Sequence, residues 1–331
     1  MKRKPPALPN TSSWSIFSKW TIRKIVFVAI LIAIAVVFTI IGNQLLPIVS
    51  IPTIKISFIG LPVKITGFIF GPIIGFFVGF LSDILSMLFV PPSAYNPLYT
   101  LATAMNGLVS GIVGWFFLKF LKFYFGGEYR INAFEAKIFN LSIKYKKALD
   151  KNDLVKAEKY ADLIIVTNNK KNNFIETGSY HLLLNINLTS AAILIISLII
   201  FLVILVGFVV DQKYINSSII KNRWGLMAFM ISGFLTMLVF VFVARFKLSP
   251  SRYLILVPII IFSALLEMIN VPLLSVADTY ALGTGNTEHI FVWIFTHVAT
   301  SPVKIWFNML IIYYSYSIIA SLIYKNENLS Y

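Results

Sequence analysis

Ionisable and amide side chains stand inside long apolar runs of this chain: Lys64, Asp83, Asn106, Glu267, Asn270, Asp278, His297, Lys304 and Asn308. A charge at the centre of a bilayer costs roughly 2.5–3.5 kcal/mol even on lenient scales, so such residues usually face a protein interior or a cavity. Three chemistries suit these residue types. Carboxylates at Asp83, Glu267 and Asp278 could hold a metal or act as bases in a lipid-modifying enzyme, although no D-D-x-x-D pattern accompanies them. His297 and Ser301 have the i, i+4 spacing of a helical base and hydroxyl, yet G-x-S-x-G, H-E-x-x-H and the P-loop pattern are all missing. The third chemistry is binding, in which a few basic, amide and aromatic groups hold a polar or anionic molecule in a cavity. Tyr95, Asn96, Tyr99 and Asn106 have that character, as do Asn270, Trp293 and His297 further on. Polar groups recurring along the later segments favour a ligand cavity over a purely structural bundle. Lys64 and Asp83 also permit a structural reading, either as an ion pair or with Asp83 bonded to neighbouring helix ends.

Composition sets the medium in which these groups act. Hydrophobic residues make up 58% of the 331 and charged residues only 12%, about half the share usual in soluble domains. Mean hydropathy is +0.84. The chain is therefore read as an all-α polytopic membrane protein. Its net charge of +15 fits basic cytoplasmic flanks of membrane helices, and no motif of a nucleic-acid-binding module is present. There is no cysteine, which excludes disulfides and thiolate metal sites. The three histidines, His181, His289 and His297, lack metal-site spacing.

A spanning helix needs about 20 apolar residues, and eight segments are predicted. The first covers residues 24–43 and follows Lys2, Arg3, Lys4, Lys19, Arg23 and Lys24, which place the N-terminus in the cytoplasm. A short second segment, 58–70, is broken at Gly71-Pro72. The third runs over 72–90 and ends at Pro91-Pro92, and the fourth runs from Asn96-Pro97 to about 120. Residues 122–180 are polar and basic, with Phe134, Ile138, Leu141, Tyr145 and Leu149 at helical spacing. Leu154, Ala157, Tyr160, Ala161 and Ile164 follow beyond a turn at 150–153, so the stretch reads as a cytosolic helical hairpin. Four more apolar segments cover 186–210, 226–245, 253–271 and 290–323. The organisation expected is a membrane core at 1–122, an insert at 123–185, two extra transmembrane helices at 186–246 and the last two core helices at 247–331. Both termini would then be cytoplasmic in a multi-pass protein of the cell membrane. Gly71, Gly75 and Gly79, with Gly107 and Gly111, form small-residue stripes that let backbones approach in lipid. Ala29 and Ala33 form another such pair.

An ordered set of motifs carries a resemblance. It comprises the basic start, AILIAIAVV, IKISFIGLPVKITGFIFGPIIG, the aspartate of GFLSDIL, and PPSAYNPLYTLATAMNGLVSGIVG, over residues 23–117. Together they resemble the substrate-binding S components of energy-coupling factor (ECF) vitamin transporters, most closely the folate-type branch. The resemblance implies a six-helix core, here with two extra helices and the hairpin, that captures a vitamin from outside without being an enzyme. A membrane scaffold subunit and two ATPases would supply the energy, so ATP would act only through partners and no covalent cofactor is expected. Ala29 and Ala33 would contact the scaffold. Lys55 and Phe58, with Lys64, Tyr95, Asn96, Tyr99, Asn106, Asn270, Trp293 and His297, would line the vitamin site. Gly71, Pro72, Gly75, Gly79 and Asp83 would be structural. Folate-type members commonly carry arginine where this chain has Lys55, and riboflavin, pantothenate or another vitamin would fit the same scaffold.

Overall fold

A computed structural model describes residues 22–45, 60–89, 96–177, 179–216, 218–281 and 290–324, and these are helical with short connections. The helices are α1 (Ile22–Leu45), α2 (Leu61–Phe70), α3 (Pro72–Phe89), α4 (Pro97–Gly114), α5 (Glu128–Asp150), α6 (Leu154–Thr177), α7 (Ser179–Ile204), α8 (Arg223–Lys247), α9 (Pro250–Ala281) and α10 (Ile290–Tyr324). Five stretches among the described residues are long and apolar enough to cross a membrane: Pro72–Phe89, Pro97–Asp150, His181–Val209, Arg223–Lys247 and Pro250–Tyr280. The protein is thus a multi-pass membrane protein.

Three elements depart from the sequence expectation. The fourth helix keeps α geometry only to Gly114, and the chain then winds as a π-helix over Trp115–Leu121. A second π-helical stretch, Leu205–Val209, follows α7. The seventh apolar segment does not stop at Val271, because α9 continues through Pro272 to Ala281. Proline is tolerated inside a membrane helix when neighbouring helices and hydroxyls re-satisfy the backbone. Beyond Pro272, Ser275 Oγ turns back to Val271 O at 2.6 Å and Thr279 Oγ1 to Ser275 O at 2.8 Å, so these hydroxyls stay within α9.

The described residues form two compact units. One comprises residues 116–187 and is built on the α5–α6 hairpin. Leu141, Ala148 and Ala157 are buried in it. The Phe134 and Phe174 rings meet at 6.4 Å, and Lys171 reaches Glu135 at 3.4 Å. Asn152 turns the chain at φ 58°. Asp153 then accepts from Lys156 N and pairs with Lys156 Nζ at 2.7 Å, which holds its exposed carboxyl below the usual aspartate value. Leu149 and Leu154, at the hairpin tip, are exposed rather than part of the apolar stripe.

The other unit holds the remaining helices. Its tightest packing is between α2, α3 and α4. Gly71 ends α2 at φ 105°, where its N–H donates to Gly67 O at 2.8 Å. This left-handed cap suits glycine, and it reverses the chain into α3. A Cβ on Gly75 would lie 2.3 Å from Gly107 O, and one on Gly79 would lie 2.5 Å from Thr103 O. The glycine stripes therefore let backbones touch directly. All ten residues of α2 are buried. Phe68 on this helix meets Phe262 of α9 at 5.5 Å and Tyr316 of α10 at 5.1 Å.

Candidate functional site

The buried polar groups form two clusters within this second unit. The deeper one gathers Lys64 from α2, Asn106 from α4, Ser263, Glu267 and Asn270 from α9, and Lys304 and Asn308 from α10 around a cavity of about 30 Å³. Ser263, Glu267 and Asn270 share one face of α9 because they are spaced i, i+4, i+7. Lys304 and Asn308 are likewise i, i+4 on α10. Lys304 Nζ lies 3.7 Å from Glu267 Oε2. Ser301 Oγ also donates to that carboxylate and back to His297 O at 2.8 Å. Asn270 Nδ2 donates to Asn106 Oδ1 at 2.9 Å. Lys64, 5% exposed, interacts electrostatically with both Glu267 and Lys304. The trio carries two cations against one anion, and the volume admits one water-sized polar group.

The second cluster lies where α4 begins and α9 ends. Asn96 caps α4 by accepting from Leu98 N at 3.0 Å and donates to Ala277 O at 3.3 Å. Tyr99 Oη donates to Asp278 Oδ1 at 2.5 Å. His297 Nε2 lies 2.9 Å from Asp278 Oδ2, and both side chains are almost wholly buried. Asp278 thereby ties α4, α9 and α10 together. His297 Nδ1 and Asn270 Oδ1 are buried with no hydrogen-bond partner among the described residues. Replacing Tyr99 with phenylalanine is expected to lower stability by about 1–3 kcal/mol, because Asp278 loses a bond it cannot regain from water. Thermal unfolding in detergent checks this, and an unchanged midpoint would show that the bond contributes nothing.

The expected residues are thus placed unequally. Lys64, Asn106 and Asn270 come together in the deeper cluster, while Asn96, Tyr99 and His297 come together in the other. Trp293 is half-buried and lines neither the deeper cavity nor the larger apolar one beside it. Lys55, Phe58 and Tyr95 lie outside the described residues. Glu267, Lys304 and Asn308, read from the sequence only as polar groups favouring a cavity and not named among the vitamin-site residues, complete the deeper cluster. Their sequence signal was the three- and four-residue spacing to Asn270 and to one another. Asp83 does not pair with Lys64. It accepts from Thr100 Oγ1 at 2.6 Å, joining α3 to α4. The three carboxylates weighed as metal ligands have separate partners: Thr100 for Asp83, Lys304 and Ser301 for Glu267, Tyr99 and His297 for Asp278. Ser301 turns to Glu267 and the His297 carbonyl rather than to the imidazole. Ala29 and Ala33 are exposed on α1, on the side away from the buried Leu31 and Ala35.

Comparison with known proteins finds matches to part of the chain. Residues 19–132 match the family described as ECF-type riboflavin transporter, S component. The folate transporter FolT of Clostridium novyi (strain NT) is 33% identical over 91 residues, 28% of this chain and 50% of that protein. The chain therefore spans about half the length of this curated relative. No solved structure matches. The two matches bear different vitamin names, and both are named as transporters. The family match over residues 19–132 overlaps the motif set at residues 23–117, so this part of the chain is similar to the S components of energy-coupling-factor transporters.

Proposed function

We propose that this chain is the vitamin-binding subunit of an ECF-type importer, taking folate or a related vitamin from outside the cell. The observation that carries the reading is the deeper polar cavity. It lies where α2 and α4, from the matched part of the chain, meet α9 and α10. A membrane protein tolerates three ionisable groups at one buried point only under strong constraint, and the surplus cation there suits a carboxylate of the ligand. The cavity takes one polar group, and Lys55, Phe58 and Tyr95 act on the remainder of the molecule. On this reading α1–α4, α9 and α10 are the six-helix core. The helices α7 and α8 are the two additions, the α5–α6 hairpin is cytosolic, and both termini are cytoplasmic. Riboflavin and pantothenate are the alternatives, and the matched family's name favours riboflavin of the two. The test is mass spectrometry of small molecules retained by the purified protein, with pull-down of partner subunits. Retention of one vitamin, with a scaffold protein and ATPases co-purifying, supports the reading. Retention of none of these vitamins and no ATPase would sink it.

The exposed Ala29/Ala33 face of α1 is proposed to meet the scaffold subunit, since small residues allow close helix approach in lipid. Phenylalanine at both positions is expected to abolish vitamin uptake by cells while leaving binding by the purified protein unchanged. Loss of binding would instead show that this face serves the vitamin site.

A further inference from the structure

We propose that the deeper cavity binds one small monovalent anion, chloride in ordinary media, between Lys64 and Lys304, and that a vitamin carboxylate displaces it. Displacement rests on the proposed vitamin site; the anion site itself does not. The ionisable groups among the lining residues are Lys64, Lys304 and Glu267, so the wall carries 2 − 1 = +1. Both lysines are buried, at 5% and 7% exposure. An uncompensated charge at such a place costs several kcal/mol. Glu267 Oε2 is already engaged by Ser301 and Lys304. Lys64 is attracted by Glu267 and repelled by Lys304, so the two fields oppose at its ammonium.

Donors also outnumber acceptors there. An ammonium has three N–H donors and accepts nothing. Among the described residues neither ammonium has a hydrogen bond, and Lys304 Nζ stops 3.7 Å from Glu267 Oε2, beyond hydrogen-bonding reach. Asn106 Oδ1 is taken by Asn270 Nδ2. Asn270 Oδ1 is buried without a partner, so neither ammonium reaches it. A water in the cavity would accept some of these donors and leave the charge in place. A monatomic anion accepts from several donors at once and cancels the charge. The cavity, about 30 Å³, exceeds the roughly 10–15 Å³ that one water needs and leaves no room for the five heavy atoms of sulfate or phosphate. A carboxylate tip brings the same charge to the same donors, so it and chloride compete.

The experiment uses the full chain in detergent, with sodium chloride or bromide replacing sodium gluconate at constant ionic strength. The thermal unfolding midpoint is expected to rise saturably with either halide, because a ligand of the folded state stabilises it by mass action. Sulfate, which strengthens burial in proteins generally, is the non-specific control and should give no saturable rise. Lys64→Met removes the surplus cation and leaves Lys304 with Glu267, so it should fold and lose the halide response. Lys156→Met removes an exposed cation of the hairpin, 68% exposed, and should keep the response. A midpoint indifferent to both halides, or an equal rise in Lys64→Met, would overturn the anion site. Folate and pantothenate carry a carboxylate, and the apparent Kd of whichever binds should rise several-fold when chloride replaces gluconate. Binding that ignores chloride would overturn displacement and leave the vitamin reading standing. A saturable halide response in a protein that binds neither folate, pantothenate nor riboflavin would support the anion site and count against the vitamin reading.

Discussion

Valine in place of Gly107 is expected to prevent the folded protein from accumulating. A Cβ at Gly107 would lie 2.0 Å from Gly75 O and 2.3 Å from Gly75 C. Both are backbone atoms of the facing helix, so no side-chain rotation relieves the overlap. Relief requires α3 and α4 to separate, and this contact lies within a close-packed set that includes Gly67, Gly75, Gly79 and Gly111. Overpacking a well-filled core costs about 1–3 kcal/mol where side chains can yield, so a backbone clash should exceed about 3 kcal/mol, a large part of the stability of most domains. Size-exclusion chromatography of the detergent-extracted protein should show loss of the monodisperse peak. Gly233→Ala is the matched control. It is also a helical glycine but has open space around it, and its elution should be unchanged. A monodisperse Gly107→Val protein with an unaltered melting curve would mean that α3 and α4 are further apart than described.

Glu267→Gln is expected to have the next largest effect. Glu267 is the anion between Lys64 and Lys304, and all three side chains line one buried cavity. The neutral amide keeps the shape and leaves two cations facing each other at low dielectric. Removing one partner from a buried ionic group typically costs about 3–5 kcal/mol, since the uncompensated charge stays behind. Adding Lys304→Met to the same chain should restore part of the loss, because one of the stranded cations is then gone. Thermal unfolding of the two single variants and the double variant gives the coupling directly. Additive losses would show that the charges act independently. An unchanged midpoint for Glu267→Gln would show that the lysines are stabilised by something else.

The helices and their medium were legible in the chain because each depends on local properties. Continuous apolar runs give membrane segments, the Gly71-Pro72 break gives the reversal between α2 and α3, and Asn96-Pro97 gives a capped start for α4. The glycine spacing was equally readable, since every fourth residue of a helix shares a face. The boundaries that failed depend on neighbours. Pro272 stays inside α9 because the surrounding bundle supports the helix, and the pattern of α9 alone carries no trace of that. The hairpin stripe fails at Leu149 and Leu154 because a turn tip has no partner surface to cover it.

The pairing of charges needed three dimensions for a simple geometric reason. Lys64 stands seven residues before Gly71 and Asp83 twelve after it. At 1.5 Å per residue the two differ by about 8 Å in height on adjacent antiparallel helices. They cannot pair, so Asp83 takes Thr100 and Lys64 falls level with Glu267 and Lys304. Those two residues are more than two hundred positions away in the chain. The amino-acid sequence alone determined that this is an all-helical membrane protein with costly polar groups in its interior and a first third similar to S components. Only the tertiary structure decided which of those groups meet, because helix-to-helix register is set by backbone contacts such as Gly75 against Gly107 rather than by any property of one segment.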